Sequence, residues 1–199
     1  MLFHLLVPLA DQFGALNVFR YLTFRSGGAV ITALLISFMF GSVLIEMLKS
    51  RQKGGQPIRE DGPETHILNK QGTPTMGGVL ILLALGLATL LWADLGNGFI
   101  WVALGVTLAF GTIGFLDDYM KVSKRDSAGL SGKLKLLAQI VIASIATLWI
   151  MRNLPPEMVT TLTIPFLKNV VVNLGWMFIV FAVFVMVGAS NSVNLTDGL

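Results

Sequence analysis

Two adjacent carboxylates, Asp117 and Asp118, close an apolar run in the string GFLDDYMK, one turn before Lys121. Side by side at the edge of a low-dielectric region they repel each other, which is costly unless a cation or a substrate proton compensates. Hard divalent cations such as Mg²⁺ are commonly held by one or two carboxylates together with substrate phosphates. The pair therefore points to metal-assisted phosphoryl chemistry. The plain alternative is that Asp-Asp ends a helix in water and Lys121 anchors it at the interface.

Three further segments carry chemistry-bearing residues. The connector GGQPIREDGPETHILNKQGTPTMGG is long and rich in Gly, Pro and polar side chains, as functional loops often are. At its end Thr75 is placed to cap the next helix, Gly77 and Gly78 would let a ligand approach the first turn, and a helix N-terminus favours an anion. Lys70, just upstream, suits the same phosphate. The bland readings are a close helix-packing site for the glycines and a snorkelling anchor for Lys70; His66 is a lone loop histidine that solvent exposure explains. In KVSKRDSAGLSGKLK, Lys133 falls in the first turn of a helix, where a cation opposes the dipole by about 0.3–1 kcal/mol. A bound anion would remove that conflict, whereas Lys124 and Arg125 are explained by membrane orientation alone. The tail SNSVNLTDGL spaces Asn191, Asn194 and Asp197 by three residues, roughly on one side of a helical or irregular extension. These groups could read a nucleoside or sugar, or form a helix C-cap and an Asp-Gly turn.

The elements that position these residues are membrane helices. Hydrophobic residues make up 54% and charged residues 13% of the 199 positions, and the mean hydropathy of +0.77 is too high for an ordinary soluble domain. With no cysteine, any metal must be held by oxygen or imidazole. A net charge of +3 in short clusters suits membrane loops better than a nucleic-acid groove. A span needs roughly 20 apolar residues, and five stretches qualify: Gly27–Met47, Met76–Ala93, Phe99–Leu116, Leu134–Met151 and Val170–Ala189. The fold class expected is all-α, a polytopic transmembrane bundle forming one membrane domain. Met1–Ala10 reads as an interfacial segment, not a signal peptide.

Lys49, Arg51, Lys53, Arg59 and Lys70 lie in the loop at about 48–75, and Lys121, Lys124, Arg125, Lys133 and Lys135 in or beside the loop at about 117–133. The opposite connections carry only Arg152 and Lys168, and Arg20 and Arg25 oppose the trend slightly. The positive-inside rule then makes both basic loops cytoplasmic, with the N-terminus outside and the tail inside. Every candidate segment falls on that one face. The connection Asn153–Asn169, with three prolines and the alternating Thr160–Ile164, allows a short hairpin or a surface helix.

The strings DGPETHILNKQGTPTMGG, GFLDDYMKV and NSVNLTDGL, in this order on these loops, closely resemble the polyprenyl-phosphate N-acetylhexosamine-1-phosphate transferases of the glycosyltransferase 4 family, from about Asn17 to Leu199. The DGPETH segment favours the branch that makes lipid I in peptidoglycan synthesis. The resemblance implies Mg²⁺-dependent transfer of phospho-MurNAc-pentapeptide from its UDP carrier (UDP-MurNAc-pentapeptide) to undecaprenyl phosphate, releasing UMP, at the cytoplasmic face of a bacterial inner membrane. By similarity Asp117 and Asp118 belong to the catalytic acidic cluster, near the metal or near the lipid phosphate as a base. Lys70, Thr75, Lys121 and Lys133 match positions lining the site, and Asn191, Asn194, Asp197, Gly198 and Leu199 match the uridine-side motif. Partners implied are the two substrates and the lipid bilayer, with no nucleic acid; a homodimer is compatible. Family members have about ten spans and a further aspartate and histidine-rich loop, so these five spans are expected to be an N-terminal portion, inactive alone. The competing functions are GlcNAc-1-phosphate transfer to a polyprenyl phosphate and, from another class, an ion-coupled transporter, which should carry charges nearer the bilayer midplane. A structural or interaction protein without activity is the third.

Overall fold

The computed structural model describes residues 1–52, 74–124, 129–164, 166–167 and 171–197. It forms two compact units, Met1–Leu130 and Ser131–Leu199, and the chain is an all-α polytopic membrane protein.

In the first unit a short helix α1 (Leu2–Leu6) and two 3-10 segments (Pro8–Asp11 and Gly14–Arg20) precede the long helix α2 (Leu22–Arg51). Helix α3 (Gly78–Trp92) and helix α4 (Gly98–Lys124) follow. The link between α3 and α4 is short because Asp94 and Asn97 accept from the backbone N–H groups of Gly96 and Phe99, each at 3.0 Å, the local bonding that makes these residue types good turn formers. α2 and α3 are antiparallel: Gly28 receives the Trp92 ring and Gly41 lies beside Leu80. Gly111 of α4 receives Leu82 of α3 in the same way. Glycine at these points lets helices approach without a side chain between them.

The N-terminal segment packs around the α2 start and the α3 end. The Met1 ammonium donates to the Leu90 carbonyl at 2.8 Å, His4 lies 3.1 Å from Asp94, the Arg25 guanidinium sits 4.4 Å over the Phe3 ring, and Phe19 stacks on Trp92.

The second unit contains α5 (Gly132–Asn153), the antiparallel strands β1 (Thr161–Thr163) and β2 (Val171–Asn173) with Leu162 opposite Val172, and α6 (Met177–Asp197). Ser131 caps α5 by accepting from the Leu134 N–H. Its buried face is Gln139, Ala143, Ala146 and Thr147.

Length and composition qualify α2, α4 and α5 to cross a bilayer, at mean hydropathies of 2.3, 2.1 and 1.9, while α3 and the apolar part of α6 (Met177–Val193) are shorter apolar helices. No residue of α2 is buried among the described residues, as befits a helix whose apolar sides face lipid or further helices. Two stretches differ from their simplest reading. The stretch expected to span from Val170 begins as a strand, because the β-branched pair Val171–Val172 extends readily and Gly175, with φ +52°, turns the chain before the helix starts. The helix that carries the span expected at Phe99–Leu116 continues to Lys124, so Asp-Asp does not end it as the plain alternative had it, for a reason found in the site.

Candidate active site

Helix α4 carries Asp117, Asp118 and Lys121 in its last two turns. Positions three and four apart share a helix face, so one lysine reaches both acids. Its Nζ donates to Asp117 Oδ2 at 2.7 Å and lies 3.5 Å from Asp118 Oδ1. These pairs hold the helix together past the carboxylates and offset the repulsion between them, so part of the compensating charge is built in.

The two acids differ in setting. The Asp117 side chain is 13% exposed and that of Asp118 31%. Asp117 Oδ1 accepts from the Leu130 N–H at 2.8 Å, so both its oxygens are engaged. That N–H is presented by a turn at Gly129, where φ is +60° and an added Cβ would lie 2.5 Å from Asp117 Oδ1 and 2.8 Å from Lys121 Cε. Only glycine combines that conformation with that space.

Thr75 donates its hydroxyl to Asp118 Oδ2 at 2.7 Å. It does not cap α3 as its position suggested: Gly77 is the N-cap residue and no side chain caps that helix. The hydroxyl is instead drawn to the carboxylate, a charge-assisted and stronger acceptor relationship. No described atom lies within 4 Å of a Cβ placed at Gly77 or Gly78, which leaves the first turn of α3 open and gives no support to a close-packing role for that pair. Thr75 is itself held by Gln52, a residue the sequence did not single out. The Gln52 amide donates to the Thr75 carbonyl at 3.1 Å and accepts the Thr75 N–H at 2.9 Å.

Lys133 lies exposed in the first turn of α5. Asn191 lies in α6, where its Nδ2 donates to the Gln139 side-chain oxygen at 2.7 Å and to the Val187 carbonyl at 2.8 Å; Gln139 in turn donates to Ser190 Oγ at 3.4 Å. Gln139 is 2% exposed and is the second residue that sequence reasoning missed; its signal was a lone amide inside an apolar run. Asn194 and Asp197 fall in the last two turns of α6, so the tail is helical through Asp197. Lys70, Gly198 and Leu199 lie outside the described residues, as does His66.

Among the described residues no group of three or more His, Asp or Glu could enclose a metal. Asp118, the more exposed acid with an oxygen left only a 3.5 Å approach from Lys121, fits the Mg²⁺ habit of taking one carboxylate and completing its shell with water and phosphate. Asp117, with both oxygens engaged, fits it less well.

Residues 100–199, half of the chain, match glycosyl transferase family 4. The chain belongs to that family. Residues 70–82 match phospho-N-acetylmuramoyl-pentapeptide-transferase signature 1. Within glycosyl transferase family 4, the chain is similar to the phospho-N-acetylmuramoyl-pentapeptide-transferases of Granulibacter bethesdensis (58% identical over 199 residues, 100% of this chain and 55% of the relative), Maricaulis maris (49% over 204 residues, 100% and 56%) and a Ruegeria species (54% over 194 residues, 98% and 54%). The chain thus spans about half the length of the curated relatives it matches. The family match takes in Asp117, Asp118, Lys121, Lys133 and the tail, and the signature takes in Lys70, Thr75 and the glycine pair.

Proposed function

We propose that this chain supplies part of the active site for transferring phospho-MurNAc-pentapeptide from UDP to undecaprenyl phosphate, with Mg²⁺ as cofactor, at the cytoplasmic border of a bacterial inner membrane. The observation that carries the reading is the 2.7 Å bond from Thr75, inside the signature, to Asp118, inside the family match. Two residues 43 positions apart, one in each stretch similar to such transferases, meet at a carboxylate.

In this reading Asp117 is a positioning residue. Engaged on both oxygens, it aims the Lys121 ammonium toward the open side of Asp118, where it would meet a phosphate. Asp118 is the group that would hold Mg²⁺ or take a proton from the attacking lipid phosphate. A bound Mg²⁺ would neutralise charge growing on the diphosphate. Enzymes of phosphoryl transfer act mainly by such alignment and charge stabilisation. The open first turn of α3, with Lys70 upstream, suits the diphosphate. Lys133, Asn191, Asn194, Asp197, Gly198 and Leu199 are assigned to phosphate and uridine by similarity. The five apolar stretches remain the proposed spans, with both basic loops inward. A carboxylate pair at the end of a span rather than at its centre speaks against an ion-coupled transporter.

The test is UMP release and lipid-linked product formation in membranes carrying the protein at its relatives' length. Asp118→Asn should lower turnover by about 10²–10³ or more while insertion stays normal. Undiminished turnover would remove Asp118 from catalysis.

A further inference from the structure

The geometry points to Gln52 as a positioning residue that clamps Thr75 so that its hydroxyl stays on Asp118. Gln52 is 6% exposed and stands at the C-cap of α2, its own N–H donating to the Leu48 carbonyl at 2.9 Å. Its side-chain amide pairs with both backbone groups of Thr75, at 3.1 and 2.9 Å, as a neighbouring strand would. A planar amide bonded at both ends fixes the Thr75 peptide in translation and rotation together, which one hydrogen bond could not. The next residue, Met76, is held at φ +71°, a conformation costing a non-glycine side chain on the order of 1–3 kcal/mol and kept only where surrounding contacts determine it. The clamp is one such contact, on the residue immediately before it. From Gln52 hydrogen bonds run through Thr75 to Asp118, whose other oxygen faces the Lys121 ammonium at 3.5 Å. The end of α2 thus sets a hydroxyl on a carboxylate of α4, elements that share no sequence neighbourhood.

The clamp stands on this geometry alone; its catalytic consequence rests on the function proposed above, and the experiment separates the two. In the intact chain in lipid discs, thermal unfolding is followed for Thr75→Val, Asp118→Ala and their combination, each with Gln52 and with Gln52→Ala. With Gln52 present, the two losses in Tm should be non-additive, because the side chains are bonded. With Gln52→Ala, they should become additive, because the hydroxyl is no longer held on its partner. Coupling unchanged by Gln52→Ala, or absent in both backgrounds, overturns the clamp. If Gln52→Ala does not fold, Gln52→Glu keeps the length and the acceptor while removing the donor to the Thr75 carbonyl, and it is read in the same way. Turnover, measured in the protein at its relatives' length, reads the catalytic half: Gln52→Ala should lower kcat about tenfold, and Gln52→Ala/Thr75→Val should be no slower than Thr75→Val alone, whereas general loss of structure would multiply the two effects. Full turnover in Asp118→Asn would end the functional reading and leave the clamp standing; unchanged coupling would end the clamp and leave the functional reading standing.

Discussion

Gly129 and Gly132 lie three residues apart, yet their surroundings ask different things of a side chain. A methyl at Gly129 meets Asp117 and Lys121 and requires a positive φ, while a methyl at Gly132 meets no described atom within 4 Å. Gly129→Ala should lower the unfolding midpoint and displace the Asp117 carboxylate, cutting turnover at least tenfold; Gly132→Ala should be neutral or stabilise by up to about 1 kcal/mol through helix propensity. Circular dichroism melts of both variants check the difference. Lys121→Met leaves Asp117 without its cation and should cost about 1–3 kcal/mol, since removing one partner of a partly buried pair strands the other. The acids, Lys121 and Thr75 could be named from the sequence because charge beside an apolar run is conspicuous. Gln52 could not, because its partner lies 23 residues away and nothing local in the string SRQKGG marks an amide that will imitate a strand.

Apolar runs announce helices, and α2 to α6 fall on the five stretches so marked. The two departures from the simplest reading have separate physical causes. Asp117 and Asp118 look like a stop when read as charges, but an ion pair to Lys121 four residues on favours continuing the helix. Val171 and Val172 look like membrane residues when read as hydropathy, but their branched side chains also suit a strand. Helix packing was less legible still, since glycines that receive a side chain and glycines that do not look alike in sequence. Gly111→Val should drive the Leu82 side chain out of its seat and cost about 1–3 kcal/mol; Gly105→Val, with no described atom within 4 Å, should cost little beyond its β-branching. In the second unit, Gln139→Leu should cost about 1 kcal/mol by removing the acceptor of Asn191, and Gln139→Leu/Asn191→Leu should cost less than the sum of the single changes. Denaturant unfolding in mixed micelles measures each.

For the molecule as a whole, the decisive issue is which parts share a compartment. The chain has no cysteine, so a single introduced thiol reports its own side without background. Ser50→Cys at the end of α2 and Ser123→Cys at the end of α4 should react with an impermeant maleimide from the same side, and Asn97→Cys, between α3 and α4, from the other. Labelling Ser50→Cys and Ser123→Cys from opposite sides would dismantle the site around Asp118. Helix α4 adds a consequence of its own length. Asp117 follows Gly98 by 19 positions, which at 1.5 Å per residue is about 29 Å, close to the roughly 30 Å of a typical hydrocarbon core. On the spans proposed above, this stretch of the helix is a ruler laid across the membrane with the carboxylates at its inner mark. Longer acyl chains would then submerge them and shorter ones lift them clear, so on the function proposed above bilayer thickness would become a dial on how readily a charged headgroup and a water-borne nucleotide reach the same pair of oxygens.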